Sequence, residues 1–246
     1  AYQRKKSLFI QGQPESKALT DESFEEISNL ARKWMDRLPG NSFLMMLIYM
    51  DIPKVETMNR IAKDCAPRMS KFASHETLLP YLLHRREFST YHQLRDEWKK
   101  FFLLLLGKVN LPQFVQGELV PGSLLELVQG RSDSLLSQDE GLELIFLLSI
   151  FDVSGAPGSL KGSLSMNEPT YQDFKLAHHC LKRITERRET CVDAYLQYLN
   201  ARSRSFGLPT NLTIGERISL TRLCCMARCH SKEEAAPIIE SVNNIR

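Results

Sequence analysis

The residues best suited to metal chemistry fall into two groups of histidine and cysteine. The two groups are His178, His179 and Cys180, followed later by Cys224, Cys225, Cys229 and His230. In a helix, Cys225 and Cys229 would lie one turn apart and could supply two of the four tetrahedral ligands of zinc. The CxxC pairs of structural zinc sites are absent, however, and buried cysteines commonly act as small hydrophobic residues. We therefore predict no metal site and no cofactor.

Phosphate-binding and hydrolytic motifs are also missing. The stretch 155–163 has the composition of a phosphate-binding loop, but Lys161 precedes Gly162 when the motif requires the reverse order. The sequence contains no HExxH motif, no GxSxG elbow and no kinase signature. We predict that the protein is not an enzyme, although a helical enzyme whose site is assembled from distant residues stays an open alternative.

Clusters of basic residues are the remaining candidates for a functional surface. The candidate partner-binding residues are Arg85 and Arg86, and Lys182, Arg183, Arg187 and Arg188. The second group alternates with acidic residues, which is typical of a solvated helix face with i,i+4 ion pairs. Few aromatic residues accompany these clusters, which argues against stacking of single-stranded RNA.

The overall composition is that of an ordinary globular protein. The chain has 246 residues, of which 43% are hydrophobic and 25% charged, and the net charge is +3. This excludes a largely disordered chain and a collagen-like repeat. The longest apolar run, Phe101 to Leu106, is too short for a membrane span of about 20 residues. Three of the six cysteines crowd into 224–229, an awkward disulfide framework, so we expect a reducing compartment, the cytoplasm or the nucleus.

Helix-start signals and a high leucine content predict an all-α fold. Four capping boxes precede apolar periodic runs, pairing Ser23 with Glu26, Ser137 with Glu140, Thr213 with Glu216, and Ser231 with Glu234. The predicted helices cover 21–38, 43–50, 55–65, 77–84, 89–106, 123–129, 138–151 and 213–229, and a last helix starts at Ser231. Residues 171–205 form one long helix or two helices with a kink near Glu189. The expected architecture is a multi-helix bundle or irregular, helical-repeat-like α-solenoid of roughly ten helices.

The clearest break in the sequence is rich in glycine, serine and proline. It divides the chain into an N-terminal extension at 1–19, a helical region at 20–151, a flexible loop at 152–169 and a C-terminal helical region at 170–246. We expect the C-terminal region to pack on the first helical region in one composite domain.

The all-helical pattern without catalytic motifs favours a scaffold or adaptor that binds other proteins within a complex. A peptide or a helix of the partner would lie in a groove of the helical surface. The alternative is an RNA-binding helical protein that uses the basic clusters on phosphates, which we do not favour.

Overall fold

The described part of the chain is entirely helical. The computed structural model describes residues 6, 7, 10, 13–38, 41–51, 55–65, 83, 88–96, 98, 99, 102, 110–124, 136–155 and 166–245. Within these ranges there are ten α-helices, two short 3-10 helices and no strand, which confirms the predicted all-α class.

The α-helices are numbered in chain order. They are α1 Asp21–Arg37, α2 Ser42–Asp51, α3 Glu56–Cys65, α4 Ser89–His92, α5 Leu111–Val115, α6 Gln138–Gly155, α7 Glu168–Thr185, α8 Cys191–Ser205, α9 Ile214–Met226 and α10 Lys232–Ile245. The 3-10 helices are Glu15–Lys17 and Pro121–Leu124. No described helix has the length and hydropathy needed to cross a membrane.

Helix α6 is the centre of the fold because it is apolar on opposite sides. Three of its residues, Leu142, Phe146 and Ile150, belong to a large core cluster with α1, α5, α7 and α8. The intervening Leu144, Leu147 and Leu148 belong to a second cluster, which includes Trp34 of α1 and residues of α2. A helix that is hydrophobic all round is buried all round. Leu30 and Phe151 pack against both clusters and so join them.

The capping boxes agree with the sequence at two helix starts and depart from it at two. Ser137 with Glu140 and Thr213 with Glu216 exchange both predicted hydrogen bonds. Ser231 caps α10, but the Glu234 carboxylate accepts from the His230 backbone instead. The prediction of a capping box between Ser23 and Glu26 is wrong. Thr20 is the N-cap of α1, and its hydroxyl accepts a hydrogen bond from the Ser23 amide.

The segment 171–205 forms two helices, which resolves the alternative in favour of a break. Helix α7 ends at Thr185, and Arg187 has the left-handed φ of +56°. Helix α8 then starts with a capping box of Thr190 and Asp193. The turn between them brings α8 back against α7, and both helices contribute to the large core cluster.

Other boundaries shift relative to the sequence predictions. Helix α6 continues to Gly155, and α7 begins at Glu168, so both enter the range assigned to the loop at 152–169. The helix predicted at 89–106 is interrupted, because α4 ends at His92 and a turn follows at 93–94. The predicted helix at 77–84 lies outside the described residues except for Leu83, and the one at 123–129 lies outside them beyond Leu124.

Candidate partner-binding groove

A groove of about 660 Å³ opens between α1 and α7, above α6. We call it the α1–α7 groove. Its wall on α1 consists of Glu26, Asn29, Leu30 and Lys33. Its wall on α7 consists of Tyr171, Lys175, His178, His179 and Lys182, and Phe146 of α6 forms its floor. The spacing along both walls is that of one helix face, so each wall is a single stripe of side chains.

Polar contacts join the two wall helices at one end of the groove. The Glu168 carboxylate accepts hydrogen bonds from the Thr20 amide at 2.9 Å and from the Ser23 hydroxyl at 2.9 Å. Further along, the Glu26 carboxylate accepts from the Tyr171 hydroxyl at 2.9 Å and from Lys175 Nζ at 2.7 Å. Because the starts of both helices meet in this way, α1 and α7 run in the same direction.

Beyond Lys175, the wall helices bond to the floor helix. Lys33 Nζ and Trp34 Nε1 lie 2.5 Å and 2.9 Å from Glu143 Oε1, and Arg37 pairs with Glu140. On the other wall, the His178 ring lies over the Phe146 ring with their centroids 4.6 Å apart. Helix α6 thus runs antiparallel to both walls and holds them on either side of the groove.

Among the residues that line the groove, lysine is in excess over carboxylate, and the floor is uncharged. Lys33, Lys175 and Lys182 outnumber the one lining carboxylate, Glu26. The hydrogen bond from Lys175 is the largest influence on Glu26 and lowers the pKa of its carboxyl group, which therefore stays ionised. Burial against Phe146 lowers the pKa of His178 to about 4, so this ring is neutral at pH 7.

The structure brings four of the six predicted partner-binding residues together at the end of α7. Of these, Lys182 lines the groove, whereas Arg183 forms an ion pair with the largely buried Glu189. Arg188 Nε lies 3.2 Å from Glu186 Oε2, and Arg187 is exposed in the turn. Arg85 and Arg86 lie outside the described residues.

No sequence pattern indicates the α1 wall or the floor of the groove. The sequence pattern predicts a capping role for Glu26 and a buried position for Leu30, and it indicates no function for Lys33 or Phe146. The α1 residues lie more than a hundred positions from the α7 wall, and Phe146 lies 25 positions before its first residue, Tyr171. Only the three-helix packing makes them neighbours, so no local spacing could have identified them.

A second polar cluster is buried where α7, α8 and the start of α10 meet. The Asp173 carboxylate accepts from the Arg202 guanidinium and lies 2.7 Å from His230 Nδ1. Arg202 also donates to the Cys229 carbonyl at 2.6 Å. Burial, followed by the Arg202 charge, lowers the pKa of His230 to about 4, well below the value that suits a general base near neutral pH.

The cysteines of the two predicted clusters are buried in apolar surroundings. Cys180 belongs to the large core cluster, and Cys224, Cys225 and Cys229 belong to a third cluster between α8, α9 and α10. Burial raises the pKa of the Cys180 thiol to about 11 and that of Cys224 to about 12, which disfavours the thiolate that binds metals. Across the described ranges, no three His, Cys, Asp or Glu side chains converge on a possible metal position.

Comparison with known proteins matches the chain to a protein family. No curated protein and no solved structure matches the chain. Residues 1–246 match a family described as a family of unknown function, DUF6829. Because the match spans the whole sequence, the chain belongs to this family of unknown function.

Proposed function

We propose that the protein is a non-enzymatic helical scaffold or adaptor that binds a segment of a partner protein in the α1–α7 groove. The observation that carries the proposal is the groove itself. It combines an apolar floor with polar groups on both walls, which is the arrangement of sites that bind peptides and helices.

The dimensions of the groove suit a short peptide segment. The α7 wall extends from Tyr171 to Lys182, which corresponds to roughly 16 Å at the helical rise of 1.5 Å per residue. A partner helix of about three turns, or about five extended residues, has this length. The rigid seating of both walls on α6 favours a preformed groove, which limits the entropy lost on binding.

The alternative function is binding of RNA phosphates by the same lysines together with Arg187 and Arg188, which are exposed at one end of α7. The acidic neighbours make it the weaker candidate, because Glu26, Glu143 and Glu186 lie beside the lysines and would repel a phosphate backbone. Binding to phosphates would also fall steeply with salt.

We further propose that the protein acts in a reducing compartment, the cytoplasm or the nucleus. Support comes from five free, buried cysteines among the described residues. Free thiols persist where glutathione keeps them reduced.

The proposed function can be tested by site-specific photocrosslinking. A benzoylphenylalanine placed at Asn29, exposed on the α1 wall, should crosslink a defined partner in cells. The same group at Ser219, exposed on α9, is the control. The purified partner should then form a stoichiometric complex with the protein, weakened by substitution of groove residues. A partner that crosslinks equally at Ser219, or a complex insensitive to groove substitutions, would count against the proposal.

A further inference from the structure

We infer that the ligand of the α1–α7 groove is an acidic segment that also carries an apolar anchor. In this arrangement separate carboxylates of the ligand bind Lys175 and Lys182, and an apolar side chain covers Leu30 and the His178 ring that lies over Phe146. The inference rests on the proposed function and specifies the chemistry of the partner.

The lysines of the groove retain unused hydrogen-bond donors. An ammonium group has three N–H donors. Lys175 Nζ donates one to Glu26 at 2.7 Å, and Lys33 Nζ donates one to Glu143 at 2.5 Å. Lys182 Nζ is held only loosely, at 3.8 Å from Glu186 Oε1. Each ammonium group can therefore donate a hydrogen bond to a further carboxylate while it keeps its present partner.

The Glu26 carboxylate holds one of these ammonium groups in place. It accepts from both Tyr171 and Lys175, so it bridges the two walls and fixes Lys175 at the closed end of the groove. Lys182 lies about 10 Å further along α7, given a rise of 1.5 Å per residue. This spacing matches the acidic side chains of a segment that crosses the groove lengthwise.

The apolar floor indicates that the ligand needs an apolar side chain in addition to its charges. Exposed ion pairs contribute little binding energy, and anchors buried in pockets usually dominate an interface. The neutral His178 ring lies over the buried Phe146 ring, with the two planes tilted by 31°, and Leu30 is partly buried beside them. A leucine or aromatic side chain of the ligand would exclude water here, while its acidic neighbours reach the lysines.

The carboxylates between the lysines favour isolated acidic side chains over a polyanion. Every lysine of the groove has a carboxylate neighbour at 2.5 to 3.8 Å. A single carboxylate can approach the free side of each ammonium group. A nucleic acid would place its regularly spaced phosphates against these carboxylates as well.

The test is fluorescence anisotropy with a labelled peptide that combines glutamate and leucine at helical spacing. Its counterpart carries lysine in place of each glutamate, and a labelled oligouridylate serves as the RNA probe. We expect the acidic peptide to bind and Lys182→Glu to weaken it about tenfold. The control Arg204→Glu makes the same charge change on the exposed side of α8 and should leave the affinity unchanged. Circular dichroism verifies that both variants are folded.

The outcomes separate the inference from the proposed function. Equal binding of both peptides, an equal effect of the two variants, tighter binding of the oligouridylate, or no binding of the acidic peptide would overturn the acidic-segment inference. If a partner still crosslinks at Asn29 and its complex depends on groove residues, the scaffold function stands without it. Failure of both experiments removes both proposals.

Discussion

At the scale of single residues, the buried carboxylate of Asp173 is held by two partners. It binds Arg202 through one oxygen and His230 through the other, and both Asp173 and Arg202 have side chains exposed by less than a tenth. The Arg202 guanidinium also stacks over Phe206 at 4.8 Å. An ion pair this deeply buried is tolerated only while each charge has its partner.

Asp173→Asn should therefore destabilise the protein strongly. The substitution leaves the Arg202 charge buried without a counter-ion, which typically lowers the free energy of unfolding by about 3–5 kcal/mol. Urea denaturation followed by circular dichroism measures the loss. The exposed Asp36→Asn is the matched control and should change stability little. A loss for Asp173→Asn as small as that of the control would mean that the ion pair is not needed.

His178 makes stability depend on pH in a defined window. Its pKa in the folded protein is about 4 against 6.5 for an ordinary histidine, so the unfolded chain binds the proton first. Stability must fall as the pH falls from about 6.5 towards 4, by about 2 kcal/mol or more between 6.5 and 4.5. His230 adds to the effect in the same direction.

The contribution of His178 is isolated by His178→Gln, which removes the titrating ring. The variant should lose less stability than the wild type over this window in urea denaturation at successive pH values. Asn29→Gln, which changes an exposed groove residue without a titrating group, should keep the wild-type pH dependence. Identical pH profiles for all three proteins would contradict the assignment.

At the scale of elements, the turn between α7 and α8 decides how the C-terminal half folds back. Arg187 occupies the left-handed region that disfavours residues with a Cβ atom, and its amide donates to the Ile184 carbonyl at 2.9 Å. The sequence suggested a kink near Glu189 but not its mechanism. No glycine marks the turn, so the usual helix-stop signal was absent.

Arg187→Gly should stabilise the protein, because glycine adopts the left-handed conformation without steric penalty. The expected gain in the free energy of unfolding is about 1 kcal/mol. Arg188→Gly makes the same substitution one residue later, where φ is not positive, and should be neutral or destabilising. Thermal melts of the two variants provide the comparison, and a lower melting temperature for Arg187→Gly would refute the prediction.

Helix starts show what local sequence can and cannot specify. The box of Thr213 and Glu216 was predicted correctly because both partners lie within one turn. Ser23 and Glu26 have the same pattern, yet Thr20 caps the helix and Glu26 binds Tyr171 and Lys175. The hydrogen bonds from α7 replace the predicted capping bond between Ser23 and Glu26. The sequence around α1 does not predict them, because their donors lie on a distant part of the chain.

At the scale of the whole molecule, α6 contributes residues to both hydrophobic clusters, so we expect them to unfold as one cooperative unit. Helix periodicity predicted the class and most helix boundaries, since amphipathic spacing is a local property. It could not assign α6 to both clusters, nor place α1 and α7 side by side. The contacts of α6 with both clusters and the pairing of α1 with α7 depend on packing between residues far apart in the chain. The groove exists only because of this packing.

Cooperativity can be tested by destabilising one cluster and observing the other. Phe114 is fully buried in the large cluster against Tyr195 and Tyr198, so Phe114→Ala should lower the free energy of unfolding by about 3–5 kcal/mol. Both tryptophans, Trp34 and Trp98, belong to the other cluster. The unfolding transitions followed by tryptophan fluorescence and by far-UV circular dichroism should therefore shift together. A fluorescence transition that stays at its wild-type position would indicate two independent units.

The hydrogen bond between Trp34 and Glu143 gives the protein a built-in optical reporter. Glu143 Oε1 accepts both from the Trp34 indole at 2.9 Å and from Lys33, which lines the groove. A ligand carboxylate that binds Lys33 changes the electric field at the fully buried Trp34 indole without touching it. In a Trp98→Phe background, the emission of Trp34 alone should then register occupancy of the groove, so unlabelled candidate ligands can be screened directly.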